Sequence, residues 1–382
     1  MVTGEGQDME IARHLAKEIG PRVSGSPEEV EAAEFIRSEF QKMGVESKIQ
    51  KFKYLGWKQE AEPTLSVLSP MKMQIAVSPM AYTGSTPKGG VEGILRFHGT
   101  FYLFPRLMEL PKYAVIDDSG ETVAFLLVQP GSRSKAIPNP WLQILQDPMV
   151  LVGEEGFTPV LSAVKSGQEV RVHLRTMGKY VQSFTSHNVI ATLEGKNSET
   201  IIIGGHHDSI EGSPGANDNA SGVEGIFRVA KRLLQKKRNH TFKLITWGGH
   251  EWGLFGSQYF VRDAKERGFL KRVKACLTLD VLGCGNFLWI WAGPPWFRER
   301  IEATLKSSGF SEEREIRYED GLIGSDDWSF SVENIPHAML MDWPIDTLHL
   351  PSDKFENIDE NKLNHTVNVA YTLVEDFDKK LT

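Results

Sequence analysis

The chain has 382 residues, 40% of them hydrophobic and 24% charged, which suits one large domain or two and is ordinary for a globular protein. A net charge of −7 leaves no basic excess to neutralise phosphates, so a nucleic-acid partner is not expected. The two cysteines, Cys276 and Cys284, are too few for a disulfide framework and are expected as reduced thiols.

The first residues, MVTGEGQDMEIARHL, lack a basic segment followed by an apolar run. No stretch is apolar enough to cross a bilayer. A cytoplasmic protein is expected, with a secreted form from which a leader has been removed left open. Residues 8–19 place Ile11, Leu15 and Ile19 at helical spacing, and Gly20-Pro21 ends that helix. Ser26-Pro27-Glu28-Glu29 then supplies a cap, a first-turn proline and acids at the positive end of a second helix. Val30, Ala33, Ile36, Phe40 and Met43 form its apolar face.

Residues 62–180 change character. Prolines and glycines separate short strand-like pieces at 93–97, 122–129 and 168–174, with no long amphipathic helix, as in a small β-rich insert. From about residue 187 strands and helices alternate. Strands are expected at 187–195, 200–209, 242–247, 275–283, 287–293 and 337–343, with helices at 219–237 and 360–379. Near-continuous apolar strands predict a sheet buried on both faces, hence a three-layer α/β/α sandwich around a mostly parallel mixed sheet.

Ligands of such folds bind beyond the carboxyl ends of the strands. There the chain places His206, His207 and Asp208, then Asp218 in SPGANDNASG, then His250 and Glu251, Asp280, and finally His349. Histidines and carboxylates are good ligands for divalent ions, and a bridging carboxylate can hold two of them roughly 3.5–4 Å apart.

The segments GGHHDS, PGANDNASG, EWGLFGS, TLDVLG, GSDDWSF and LHLPSDKFENID resemble the co-catalytic zinc aminopeptidases. That broad family includes secreted bacterial leucyl aminopeptidases, glutamate carboxypeptidase and the glutaminyl cyclases. The opening IGPRVSGSPEEVEAAEFI is similar too. The resemblance makes 1–60 and 185–382 a zinc-peptidase domain. It likens 62–180 to an inserted protease-associated domain, through GGVEGIL and GFTPVLSAVKSGQEVRVHL.

Carried over by position, it implies two zinc ions, with cobalt or manganese as other candidates. His206 and Asp280 would hold the first, Glu251 and His349 the second, and Asp218 would bridge them. Asp208 would bond the far nitrogen of His206 and count with the catalytic residues. His207 falls at a variable position and is expected to pack. Asn219 and Gly222 would shape the bridging loop. Asp326, Asp327 and Trp328, where many relatives have Ser-Asp-His before the tryptophan, would line the substrate pocket. His98, His240, His365, Glu211 and Asp346 match no ligand position.

The implied activity is removal of N-terminal residues from peptides by a zinc-activated water; a homodimer is left open. The family motif is Glu-Glu-x-Gly-Leu, its first Glu the general base. This chain has His-Glu-Trp-Gly-Leu, with His250 at the base position. Three readings follow: His250 is the base, the site binds peptides without efficient hydrolysis, or His250 is an extra metal ligand. The first is preferred, since neutral imidazole can accept a proton from water. A carboxypeptidase, a glutaminyl-cyclase-like enzyme or a peptide-binding protein on the same fold are the alternatives.

Overall fold

The computed structural model describes residues 9–104, 108–129, 146–320 and 325–381. The first eight residues, read above as carrying no leader, and Gly324 of GSDDWSF lie outside these. The chain divides into two compact units, one made by the residues up to Lys53 with those from Thr185 on, the other by Tyr54–Phe184.

In the first unit seven strands lie side by side. Their order is Ile316–Asp320, Phe287–Gly293, His337–Trp343, Val273–Leu279, Thr200–His206, Thr241–Trp247 and residues 189–193 of Arg171–Leu193. Neighbours among His337–Trp343, Val273–Leu279, Thr200–His206 and Thr241–Trp247 run parallel. Phe287–Gly293 runs antiparallel to His337–Trp343 but parallel to Ile316–Asp320, and residues 189–193 run antiparallel to Thr241–Trp247, so the sheet is mixed.

Alternate residues feed opposite faces. Ile201 and Ile203 join Leu244, Leu277, Leu279 and Leu340 in a large core with helices Pro27–Lys42, Ser221–Leu234, Pro295–Ser307 and Glu360–Lys380. Ile202, Ile245, Trp247 and Cys276 pack on the other side against Phe260 and Val261 of helix Phe255–Glu266 and against Phe330. Both faces are therefore covered, as the apolar runs predict. The first predicted helix is α-helical only over Glu10–Arg13 and widens to a π-helix over His14–Ile19. The second begins as expected, with Ser26 Oγ accepting from the Glu29 N–H.

In the Tyr54–Phe184 unit, residues 171–174 neighbour Val91–Phe104, followed by Met108–Ile116, Thr122–Gln129, Met149–Gly153 and Val77–Pro79. Leu95, Val115, Leu126, Val150 and Val152 form one core with Phe157 and Val160. Those last two belong to a helix over Glu154–Lys165, where sequence patterning showed none. Pro159 inside it masks the pattern, because proline normally argues against a helix interior. Cys276 and Cys284 are both free thiols. Among the described residues no helix is long and apolar enough to cross a membrane.

Candidate metal centre

Each strand of the parallel set ends by handing over a polar residue. His206 is the last residue of its strand, Asp280 directly follows Leu279, and Gly248-Gly249 turn the chain from Trp247 to His250 and Glu251. Gly248 has no substitute there: a Cβ would lie 2.3 Å from Ser186 Oγ and 2.6 Å from the His187 carbonyl. His349 and Val281, which follows Asp280, hold φ of 60°. Side chains disfavour that left-handed region, and such strain gathers at functional sites.

The five expected ligands converge. Asp218 reaches both ways: its Oδ1 lies 3.1 Å from His206 Nε2, and its Oδ2 lies 3.2 Å from His349 Nε2. Asp280 Oδ1 is 3.3 Å from His206 Nε2, and Glu251 Oε2 is 3.2 Å from His349 Nε2. All five are almost fully buried. Yet His206 Nε2, Asp280 Oδ1 and Glu251 Oε1 find no partner with hydrogen-bond geometry among the described residues. Buried polar atoms are rarely left so, and donor atoms that face one another without bonding are what a cation between them requires. The residues thus fit a pair of divalent ions with Asp218 between.

The electrostatics agree. Burial alone would lower the His206 and His349 pKa values. Asp280, Asp208 and Asp218 nevertheless hold His206 well above its ordinary value, and Glu251 and Asp218 raise His349 to about 10. Against burial, the two imidazoles hold Asp218 far below the usual carboxylate range. Excess carboxylate charge keeps protons on both rings, the condition under which a cation displaces protons on binding.

Surrounding residues fix these side chains. His206 Nδ1 donates to the backbone carbonyl of Asp208 at 3.0 Å, with the Asp208 carboxylate farther away at 3.6 Å. Asp208 thus faces the far nitrogen of His206, as expected, chiefly through its backbone carbonyl. Its carboxylate chiefly accepts the backbone N–H groups of His250 and Glu251, at 3.2 and 3.1 Å, because the turn after Trp247 aims them at it. Asn219 bonds Leu279 O, Gly222 N and Val281 N, tying the Asp218 loop to the Asp280 strand. His207 is buried between Thr246 and Glu29.

Three residues escaped the sequence reading. The buried Arg22 guanidinium donates to the carbonyls of Leu15, Gly20, His207, Pro214 and Gly215. Asp353 accepts the N–H groups of Asn217 and Asp218. Glu29, read only as an acid at the positive end of a helix, is buried and accepts from Ser186, His187 and His207. A signal for Glu29 existed: it shares the apolar face of Ala33, Ile36 and Phe40. Arg22 and Asp353 lie in the quoted segments IGPRVSG and LHLPSDKFENID, but neither was singled out there.

Asp326 and Asp327 were expected to line the substrate pocket. Both are buried, because the loop at 325–327 turns inward: Ser325 Oγ donates to Asp280 Oδ2 at 2.6 Å and Asp326 Oδ2 accepts from His250 Nδ1 at 2.9 Å. Burial, then Asp326 and Asp280, push the Asp327 carboxyl pKa well up. Trp328 alone keeps a substantial surface, at 38% exposed.

The His250 ring lies flat on His206, centroids 3.7 Å apart and planes 6° from parallel. Donor atoms of His206, His250 and Asp280 come within 4.8 Å of one another. But imidazole lone pairs lie in the ring planes, and parallel planes do not meet at one ion. The stack therefore disfavours His250 as a second imidazole ligand beside His206.

Comparison with known proteins places this centre. Residues 188–374 match the model of Peptidase family M28. Leucine aminopeptidase 2 of Arthroderma otae is 39% identical over 127 residues, 33% of this chain and 25% of that protein. The chain thus spans about a quarter of the length of such relatives. Aminopeptidase YwaD of Bacillus subtilis is 23% identical over 392 residues, covering 96% of this chain and 83% of its own. In fold, the chain is similar to BSAP, a zinc aminopeptidase from Bacillus subtilis, at TM-score 0.74 and 21% identity over 97% of this chain and 94% of that one. A glutaminyl cyclase from an Acidobacteriales bacterium shares the fold at TM-score 0.55 and 13% identity, covering 97% and 95%. The stretch that matches Peptidase family M28, residues 188–374, contains all five converging side chains.

Proposed function

We propose that the chain is a metal-dependent aminopeptidase acting on peptides, with two zinc ions held by His206, Asp280, Glu251, His349 and the bridging Asp218. The observation that carries this is the two-sided approach of Asp218, one oxygen to each histidine, beside buried donor atoms that no hydrogen bond among the described residues satisfies. Zinc bound there would polarise a peptide carbonyl and lower the pKa of a water. The protein's own part is to fix the donors, exclude bulk water and move one proton. His250 takes the proton of the attacking water on Nε2 as that O–H bond breaks. It returns the proton to the leaving amine nitrogen as the C–N bond breaks. Burial and His206 push the His250 pKa down, Asp326 and Asp280 push it up, and the balance lies above the ordinary value; nearby dications would bring it back down. We also read Tyr54–Phe184 as a protease-associated-type unit, on the strength of GGVEGIL and GFTPVLSAVKSGQEVRVHL.

The test is hydrolysis of aminoacyl anilides and short peptides by zinc-loaded protein, beside His250→Ala and His250→Glu. Activity that a chelator abolishes and that falls about 10²–10⁴-fold in His250→Ala supports the reading. A silent wild type that His250→Glu switches on would instead favour a peptide-binding protein whose base has been lost.

A further inference from the structure

The contacts of His250 go beyond a base standing alone. Its Nδ1 meets a carboxylate at 2.9 Å, and a carboxylate can only accept, so Nδ1 carries the hydrogen and the neutral ring keeps its lone pair on Nε2. Asp326 is fully buried, and its other oxygen, Oδ1, has no hydrogen-bond partner among the described residues. Burying a carboxylate for one side-chain bond is costly, which argues that the bond has a use. The His206 ring lies flat against the opposite constraint, fixing the plane in which the His250 lone pair lies. Ser325, the preceding residue, holds Asp280, so one short loop positions both a metal-facing carboxylate and the imidazole above it.

We infer that Asp326 is a positioning residue: with His206 as a platform, it holds His250 in a single tautomer and plane, so that a His–Asp pair does the proton transfer that one glutamate does in the family motif. This rests on the aminopeptidase reading for its catalytic meaning, and on contact geometry for the tautomer.

Two measurements decide it. Nitrogen-15 NMR of the histidine side chains, at a pH where the ring is neutral and with the His250 signal assigned by its loss in His250→Gln, should show hydrogen on Nδ1. Hydrogen on Nε2 in the wild type overturns the inference and needs no catalytic activity to be seen. The second measurement is a double-mutant comparison. Asp326→Asn should lower kcat about 100-fold in the wild type with KM changed less than about twofold, as expected for a lost proton-transfer contribution. It should lower kcat no further in the His250→Glu background, where a carboxylate base has no tautomer to fix. Equal losses in both backgrounds would mark Asp326 as merely structural and sink the inference. If no variant or wild type hydrolyses any substrate, the aminopeptidase reading falls while the NMR result still judges the contact.

Discussion

Among the described residues of the Tyr54–Phe184 unit the buried polar side chains are Ser78, Thr83, Thr86, Gln129 and Thr176, all neutral. The other unit buries Arg22, Glu29, His206, His207, Asp208, Asp218, His250, Glu251, Asp280, Asp326, Asp327, Asp342 and Asp353, among others. Both units have continuous apolar cores, so the contrast is not one of packing. Burying charge costs free energy unless each group is paired or holds an ion. Burying so many ionisable groups around a few strand ends is costly unless they pair or hold an ion, whereas among the described residues the other unit buries only neutral polar side chains.

The largest effect should come from the centre of the charged unit. Asp218→Asn removes the bridging charge and is expected to weaken zinc binding by at least about 1,000-fold, or about 4 kcal/mol, with hydrolysis lost alongside. Calorimetric zinc titration of the folded variant reads this directly. Unchanged affinity would mean that the buried carboxylates are not there for a cation.

A smaller effect should appear away from the centre. Burial raises Asp342 from 3.8 to about 6, even against Arg314, Thr366 and the Gly283 N–H. The folded state then binds a proton that the unfolded state has released. Asp342's contribution to stability is fully present below about pH 4, is lost as pH rises toward about 6, and is level above that. It amounts to about 3 kcal/mol, a little over two units at about 1.4 kcal/mol each. Asp353, also raised by burial to about 6, adds to the same slope, so in denaturant melts across this range Asp342→Asn should lessen the fall without abolishing it.

The smallest effect belongs to the neutral unit. Thr86 Oγ1 donates to the Thr176 carbonyl and accepts its N–H, both at 3.1 Å. Thr86→Val should cost about 1–2 kcal/mol by the same melts, equally on either side of about pH 6. A strongly pH-dependent cost would blur the contrast between the units.

The strands and helices that position the centre were legible because their apolar periodicity is local: 287–293 and 337–343 match the folded strands end to end, and Ser26 caps the helix it was read to cap. Helix Glu154–Lys165 was not, since Pro159 contradicts its neighbours and only packing of Phe157 and Val160 outweighs it. Strand-end position brought eight polar residues into view, and the resemblance to the zinc aminopeptidases picked the five converging side chains from among them. Asp326 was placed in the same neighbourhood, but its contact with His250 was not foreseen, because nothing in GSDDWSF says whether a carboxylate faces solvent or the protein interior.

By itself, then, the sequence determined which residue types gather at the carboxyl end of the sheet, since strand order in the chain and alternation along each strand deliver them there. Only the tertiary structure decided what those residues do to one another. It turned Asp208 onto two backbone N–H groups, closed Arg22 and Asp353 around the Asp218 loop, and laid His250 on His206 with Asp326 at its far nitrogen. These are contacts between segments tens to hundreds of residues apart. Their geometry is set by the packing of whole elements, and no local pattern encodes it.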